Sequence, residues 1–367
     1  MNFVENLNSV VVAGIEPFTG TWTARTAAHL ARRTSLGPTR EEILRFTQLG
    51  LQASLDELFE PAEIPKPPLL PIAEGEIDVA VGETWVNTPY TGQALYRGWS
   101  LNAWFFNHLI ENESVLQARM TLFWMNYFGM SGVSDHRAVY RYLELYQKFY
   151  VGNFRQFLEE ITVHPTMLEF LNGDLNEASN PNENFARELL ELYTIQKGSL
   201  AGEGDYTNYT EVDVVALAKA LTGWRRTEYA FSDQDTPISS YFDSEQHDRG
   251  TKQLSHRFGN AVIQNADEEE YKVVIDIILQ QPETARAICR ELYRYFVFHD
   301  IPNEVEQQVI VPLGVVLQDN DYDIATALRT LLGSQHFYEL DFRGPIIKNP
   351  YEFLGSLIRP MGGYQHL

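Results

Sequence analysis

Between His247 and Lys252 the chain reads His-Asp-Arg-Gly-Thr-Lys, which sets an imidazole, a carboxylate and an ammonium beside a flexible glycine. His247 and Asp248 are general acid and base groups by type, and Lys252 is suited to hold an anion or to stabilise developing negative charge. A plain polar turn, with Asp248 capping the chain and Lys252 in water, accounts for the same residues. A second polar set lies on a helix predicted to start at Glu183. There Asn184, Arg187, Glu188 and Glu191 recur at i, i+3, i+4 and i+7 and share one face. Glu183, Arg187 and Glu188 stand beside the helix N-terminus, where backbone donors are free and the approach Asn180-Pro181-Asn182-Glu183 supplies oxygens. Two readings stay open for this face: a cleft wall, or a solvated surface with an Arg187–Glu191 pair worth about 0.3 kcal/mol.

Asp174 and Asn176 follow at i, i+2 in the loop Asn172 to Glu177, a spacing that hard-cation loops use because alternate residues point inward around a glycine-permitted turn. The loop lacks the rhythm and closing Glu of an EF-hand, so calcium stands against an ordinary Asx-turn. No other cofactor is expected. A Walker loop, a G-x-G-x-x-G after a strand, an H-E-x-x-H pair and the G-x-S-x-G or S-x-x-K nucleophile patterns are all missing. Cys289 is the single cysteine, which excludes intramolecular disulfides and multi-cysteine metal sites, and isolated histidines form no soft-ligand shell for zinc, copper or iron. His164, directly before Pro165, is expected to hydrogen-bond the turn that ends its helix. Arg286, Arg290 and Arg294 form an i, i+4, i+8 stripe, either an interhelical ion-pair network or an anion-binding wall facing the His247 loop.

The elements that must position these groups are helical. Hydrophobic residues make up 44% of 367 and aromatics 13%, enough to offset ordering entropy in a large aromatic core, so a disordered chain is excluded. Period-3.6 segments run over 24–33, 40–50 and 51–59, through the aromatic-rich stretch 93–128, and then over 136–150, 153–163, 183–196, 210–222, 268–279, 282–298, 303–318 and 323–333. Thr39 and Glu42 have capping-box spacing after the Gly37-Pro38 stop. Pro61, Pro65, Pro67, Pro68 and Pro71 forbid regular structure in 60–92, apart from one short strand at most around Ile77, Val79 and Val81. Tyr229 to Phe231 and Tyr241-Phe242 suggest one small hairpin. The expected fold is therefore all-α, one large irregular helical bundle with a proline-rich excursion and one minor β-hairpin. Its parts are N-terminal helices (1–59), the excursion (60–92) and a main helical domain (93–367) whose polar loops, 164–183 and 224–260, carry the candidate residues.

Basic residues number 28 against 50 acidic ones, a net charge of −22 that repels phosphate backbones, so nucleic acid is not an expected partner. No window is long and apolar enough to span a membrane, and no signal peptide is visible at the start.

Several strings carry a resemblance. HLARRTSLGPT (His29 to Thr39), GNFRQFLEEITVHPTML (Gly152 to Leu168), NPNENFARELLELYT (Asn180 to Thr194), YTEVDVVALAKALTGW (Tyr209 to Trp224), HDRGTK (His247 to Lys252), TARAICRELYRYFV (Thr284 to Val297) and RGPIIKNPYEFL (Arg343 to Leu354) are ordered as in the bacterial family catalogued as domain of unknown function 1800. The resemblance implies export, and a sulfatase-like protein as neighbour, but no reaction. The family commonly reads Trp-His-Asn-His-Phe where this chain has Trp124-Met125-Asn126-Tyr127-Phe128, so both histidines are replaced and a transition metal is not expected at that position. Similar members continue beyond Leu367.

Two functions follow as expectations. One is a noncatalytic binding or accessory component engaging a protein or glycan partner. The other is a hydrolase-type enzyme using His247 and Asp248 with Glu183, Glu188 and Lys252. In either case the 247–252 segment is expected to fold onto the helix start near Asn182, with Lys252 facing Glu183 or Glu188, Asp248 near Arg187, and His247 at the rim.

Overall fold

A computed structural model describes residues 13–72, 74–89, 94–111, 114–228, 237–343 and 346–361. Helix α1 (Ala24–Thr34) opens on a capping box at Thr23, and α2 (Arg40–Leu49) on the one at Thr39, whose side chain accepts from Glu42 N while Glu42 accepts from Thr39 N. The third short helix, α3 (Leu51–Leu58), leads into the excursion. This stretch is irregular, as its prolines require, but it is tightly anchored. Trp85 is buried and donates to Ser100 Oγ at 3.1 Å, and Glu76 forms a buried ion pair with Arg97 at 2.6 Å. No strand forms around Ile77 to Val81; instead Leu69 bridges Thr84, with Ile77 and Val81 exposed on either side of buried Val79.

The aromatic stretch forms α4 (Leu95–Glu111) and α5 (Val115–Phe128), and α6 (His136–Lys148) packs on α5. Trp124 and Phe128 stack among Tyr146, Phe154 and Phe157 at centroid distances of 5.1 to 6.5 Å, the geometry that ring quadrupoles favour. Helices α7 (Phe154–Thr162) and α8 (Pro165–Phe170) follow. His164 does not close the first of them; its Nδ1 accepts from Thr166 N and caps the second, because Pro165 starts a new helix at its N1 position. The polar-faced helix α9 (Glu183–Glu191) packs on α10 (Glu211–Ala220). It stops short of the predicted 196 where Gln196, at φ 60°, turns back to place its N–H on Leu190 O.

Three two-stranded antiparallel ladders interrupt the helices among the described residues: β1 (Leu200–Gly202) with β2 (Asp205–Tyr206), β3 (Trp224–Arg226) with β4 (Ser240–Phe242), and β5 (Lys252–Gln253) with β6 (Val262–Ile263). The hairpin expected at Tyr241-Phe242 is present, paired with Trp224 to Arg226; Tyr229 to Phe231 lie outside the described residues. Helices α11 (Glu270–Leu279), α12 (Pro282–Phe296), α13 (Asn303–Val305), α14 (Val311–Asp319) and α15 (Ile324–Leu332) complete the bundle, with α12 against α14 and α14 against α15; a π-helical turn joins α13 to α14. One hydrophobic cluster draws from the N-terminal helices, the excursion and the main helical part alike.

Residues 14–18 meet residues 333–336. Phe18 N donates to Gly333 O and Gln335 N to Glu16 O. The last described helix, α16 (Pro350–Ile358), crosses the α1–α2 turn so closely that a Cβ on Gly37, which sits at φ 150°, would fall 2.5 Å from Ser356 Cα. Arg359 locks the crossing through Gly37 O, Ile110 O and Glu42.

Candidate anion-binding site

The two polar loops singled out in the sequence do touch, through Ala178 N on Gln246 O at 2.8 Å, but their charged groups find other partners. Lys252 faces neither Glu183 nor Glu188. Its Nζ lies 2.6 Å from Glu270 Oε1, and both side chains are at most 1% exposed. His247 is not at the rim but shut in the same place, with Nε2 3.1 Å from Glu270 Oε2 and Nδ1–H directed at Thr222 O at 2.9 Å. Burial alone would lower the imidazole pKa; the hydrogen bonds to Glu270 and to the Thr222 carbonyl outweigh it and raise the value above the ordinary one. Asp248 does not reach Arg187. Its side chain turns the chain at Gly250 N and stands 3.7 Å from Lys252. Arg187 is clamped bidentately by Glu211 at 2.9 and 2.7 Å, with Glu191 at 3.8 Å and Glu183 at 4.0 Å. Glu188 has its carboxyl pKa raised by burial and by the charge of Glu191. The group that overturned these expectations is Glu270, the first residue of α11, which in sequence ends an acidic run and reads as solvated surface.

Asp174 and Asn176 are bound into the fold. Asp174 Oδ2 accepts from Arg226 Nε at 2.8 Å, while buried Asn176 accepts from Asn182 N at 2.7 Å and donates to Ala218 O at 3.0 Å. Asn182 in turn caps α9 through Asn184 N and Phe185 N. The arginine stripe is an ion-pair network: Arg290 bonds Glu283 and Glu306, Arg286 faces Glu283, and Arg294 faces Glu291.

The concentration of unbalanced charge lies elsewhere, where α1 meets residues 340–352. A cavity of about 780 Å³ between α1, the α1–α2 turn and the C-terminal segment is lined by Arg25, Arg32, Arg33, Arg119, Arg343 and Lys348 against a single carboxylate, Glu352, with His29 beside them. On its floor Arg119, 4% exposed, pairs with Glu352 and lies over the Tyr295 ring, 4.1 Å from the centroid. Its Nε is buried without a hydrogen-bond partner among the described residues. Arg33 donates to Phe342 O at 2.6 Å, and among the described residues no carboxylate comes within ion-pair distance of Arg25, Arg32, Arg33, Arg343 or Lys348. Burial and crowding shift these groups together. Burial and the neighbouring Arg119 push Arg33 down to about 10, burial with Arg119 and Arg32 lowers Lys348, and burial with Arg33 drives His29 to about 3, so its ring is neutral and donates to Phe337 O. An anion placed here would offset the like-charge repulsion among Arg33, Arg119 and Lys348. Sequence reading missed the site because its two walls are about 300 residues apart; the Arg-Arg of HLARRTSLGPT and the Arg and Lys of RGPIIKNPYEFL were the available signal.

Residues 29–367 match the family described as "Protein of unknown function (DUF1800)". The chain belongs to that family. No curated protein and no solved structure matches it. Within this family member the match begins at His29, the imidazole of the cationic cavity. Tyr127 donates to Tyr193 O at 3.0 Å, and Asn126 and Tyr127 line a separate pocket of about 510 Å³ with Glu191, Glu291 and Arg294. Among the described residues no group of three His, Cys, Asp or Glu side chains is placed to hold a metal, and no helix is long and apolar enough to cross a membrane.

Proposed function

We propose that this chain is a noncatalytic binding component of the accessory kind, which engages a protein or glycan partner by receiving an acidic group of that partner in the cationic cavity. The observation that carries the reading is the local charge: five arginines and one lysine around one carboxylate, in a chain whose net charge is −22. A sulfatase-like protein, suggested by the family resemblance, is one such partner. Closure of His247 and Lys252 around Glu270 favours the binding reading over the hydrolase alternative, which keeps only Asp248, Glu183 and Glu188 as accessible acid or base groups.

The test is thermal unfolding in the presence of inorganic phosphate and of citrate. A ligand at ten times its Kd stabilises by about 1.4 kcal/mol, so the melting temperature should rise with either anion. In the double variant Arg32→Glu, Lys348→Glu, which changes two exposed lip residues, the rise should vanish. An equal rise in both proteins would remove the reading.

A further inference from the structure

Resting on the reading of this cavity as an anion site, we infer that its ligand is a short acidic peptide segment, with carboxylates held at the floor and lip and an aliphatic side chain laid on Leu340 and Ile346. The floor supplies a place for the first carboxylate: Arg119 has an unpartnered buried Nε, and Arg33 beside it uses one amino group on Phe342 O. Guanidinium planes match carboxylates in a two-point fashion. At the lip, Arg25, Arg32 and Lys348 have no carboxylate partner among the described residues and are free to take a second.

Size and surroundings select against long polyanions. The cavity is only about 9 Å across if equidimensional, close to one Debye length of about 8 Å at physiological salt. Beyond that distance a ligand meets the field of a protein with net charge −22. An anionic membrane or a long sulfated chain must therefore approach against repulsion, whereas a segment with two or three charges lies wholly inside the basic region. The aliphatic character of the lip narrows the choice further. Leu340 lines the cavity and is 77% exposed, and Ile346 lines it beside Lys348. No Phe, Tyr or Trp ring is among the lining residues to cover the face of a sugar. Cations alternating with exposed aliphatic side chains complement a peptide in which acidic and aliphatic residues alternate.

The experiment is fluorescence anisotropy on the full chain with a dye-labelled peptide of sequence acetyl-Leu-Asp-Ile-Glu-Leu. Inorganic phosphate, a sulfated disaccharide and phosphatidylserine–phosphatidylcholine vesicles serve as competing probes. The peptide should bind more tightly than any of the three, and Arg32→Glu with Lys348→Glu should weaken it by about tenfold or more. Replacing both lip aliphatics, Leu340→Ser with Ile346→Ser, should weaken the peptide about fivefold more than it weakens phosphate. If phosphate binds in a charge-dependent way but the lip replacements weaken both probes equally, the peptide assignment is overturned and the anion site stands. Tighter binding of vesicles or of the sulfated sugar also overturns it. If no probe responds to the charge reversals, the anion site falls with it.

Discussion

Replacing His29 or His108 by Gln should make the protein markedly less sensitive to mild acid. Both imidazoles are buried, and burial pushes them from the ordinary 6.5 to about 3 and about 4, with Arg33 adding to the effect at His29. The folded state therefore keeps both rings neutral at pH 5, while the unfolded chain protonates them below 6.5. Because the unfolded state binds more protons in this window, stability is intact above pH 6.5 and falls as pH drops toward the folded values. Each group at pH 5 lies about 1.5 units below its unfolded value, which corresponds to about 2 kcal/mol. Two such groups remove about 4 kcal/mol between pH 7.5 and pH 5, a large part of a typical total of 5 to 15 kcal/mol. His247 works in the opposite direction. Its pKa is raised, so its contribution is complete below 6.5 and is lost as pH climbs through the folded value. Urea unfolding followed by circular dichroism at pH 7.5 and pH 5 measures the difference. His29→Gln and His108→Gln should each shrink the acid-induced loss by about 2 kcal/mol. A loss of the same size in wild type and both variants would refute the assignment of neutral buried rings.

Other perturbations follow from the same geometry. Glu352→Gln leaves Arg119 buried without its anion and should cost about 3 kcal/mol in urea unfolding, with part of the loss restored by added phosphate. Lys252→Met leaves buried Glu270 with His247 as its one remaining cationic partner among the described residues and should cost about 3 kcal/mol; a change below about 1 kcal/mol would show that the Lys252–Glu270 pair adds no net stability. Asn182→Ala removes the α9 cap and its bonds to Leu171 O and Asn172 O, and should lower stability by about 1 to 2 kcal/mol on the same assay. Arg187→Ala breaks a half-exposed pair with Glu211, so it should cost at most about 1 kcal/mol.

Local signals in the sequence carried the helical architecture. Thr39 and Glu42, Asn182, and the prolines of 60–92 each act on their own neighbours, so their effects could be read without tertiary knowledge. Partner choice was not legible in the same way. Lys252 and Glu270 are 18 positions apart in a region of loops and short strands, and nothing in the spacing says which of the chain's many carboxylates will be carried inward with the lysine. The cavity is the extreme case. Arg33 and Lys348 become neighbours only because Gly37 lets α16 approach within van der Waals contact of the α1–α2 turn, a backbone event with no periodicity to betray it. Like-charge crowding of this kind is also the opposite of what composition suggests in an acidic chain.

The central claim is that the cavity between α1 and the C-terminal segment holds an anion. Crystals soaked in selenate, whose selenium scatters anomalously, test it most directly. The strongest anomalous peak should lie among Arg33, Arg119 and Lys348, within hydrogen-bond distance of at least one guanidinium group. Selenate at other surface positions with none in the cavity would contradict it.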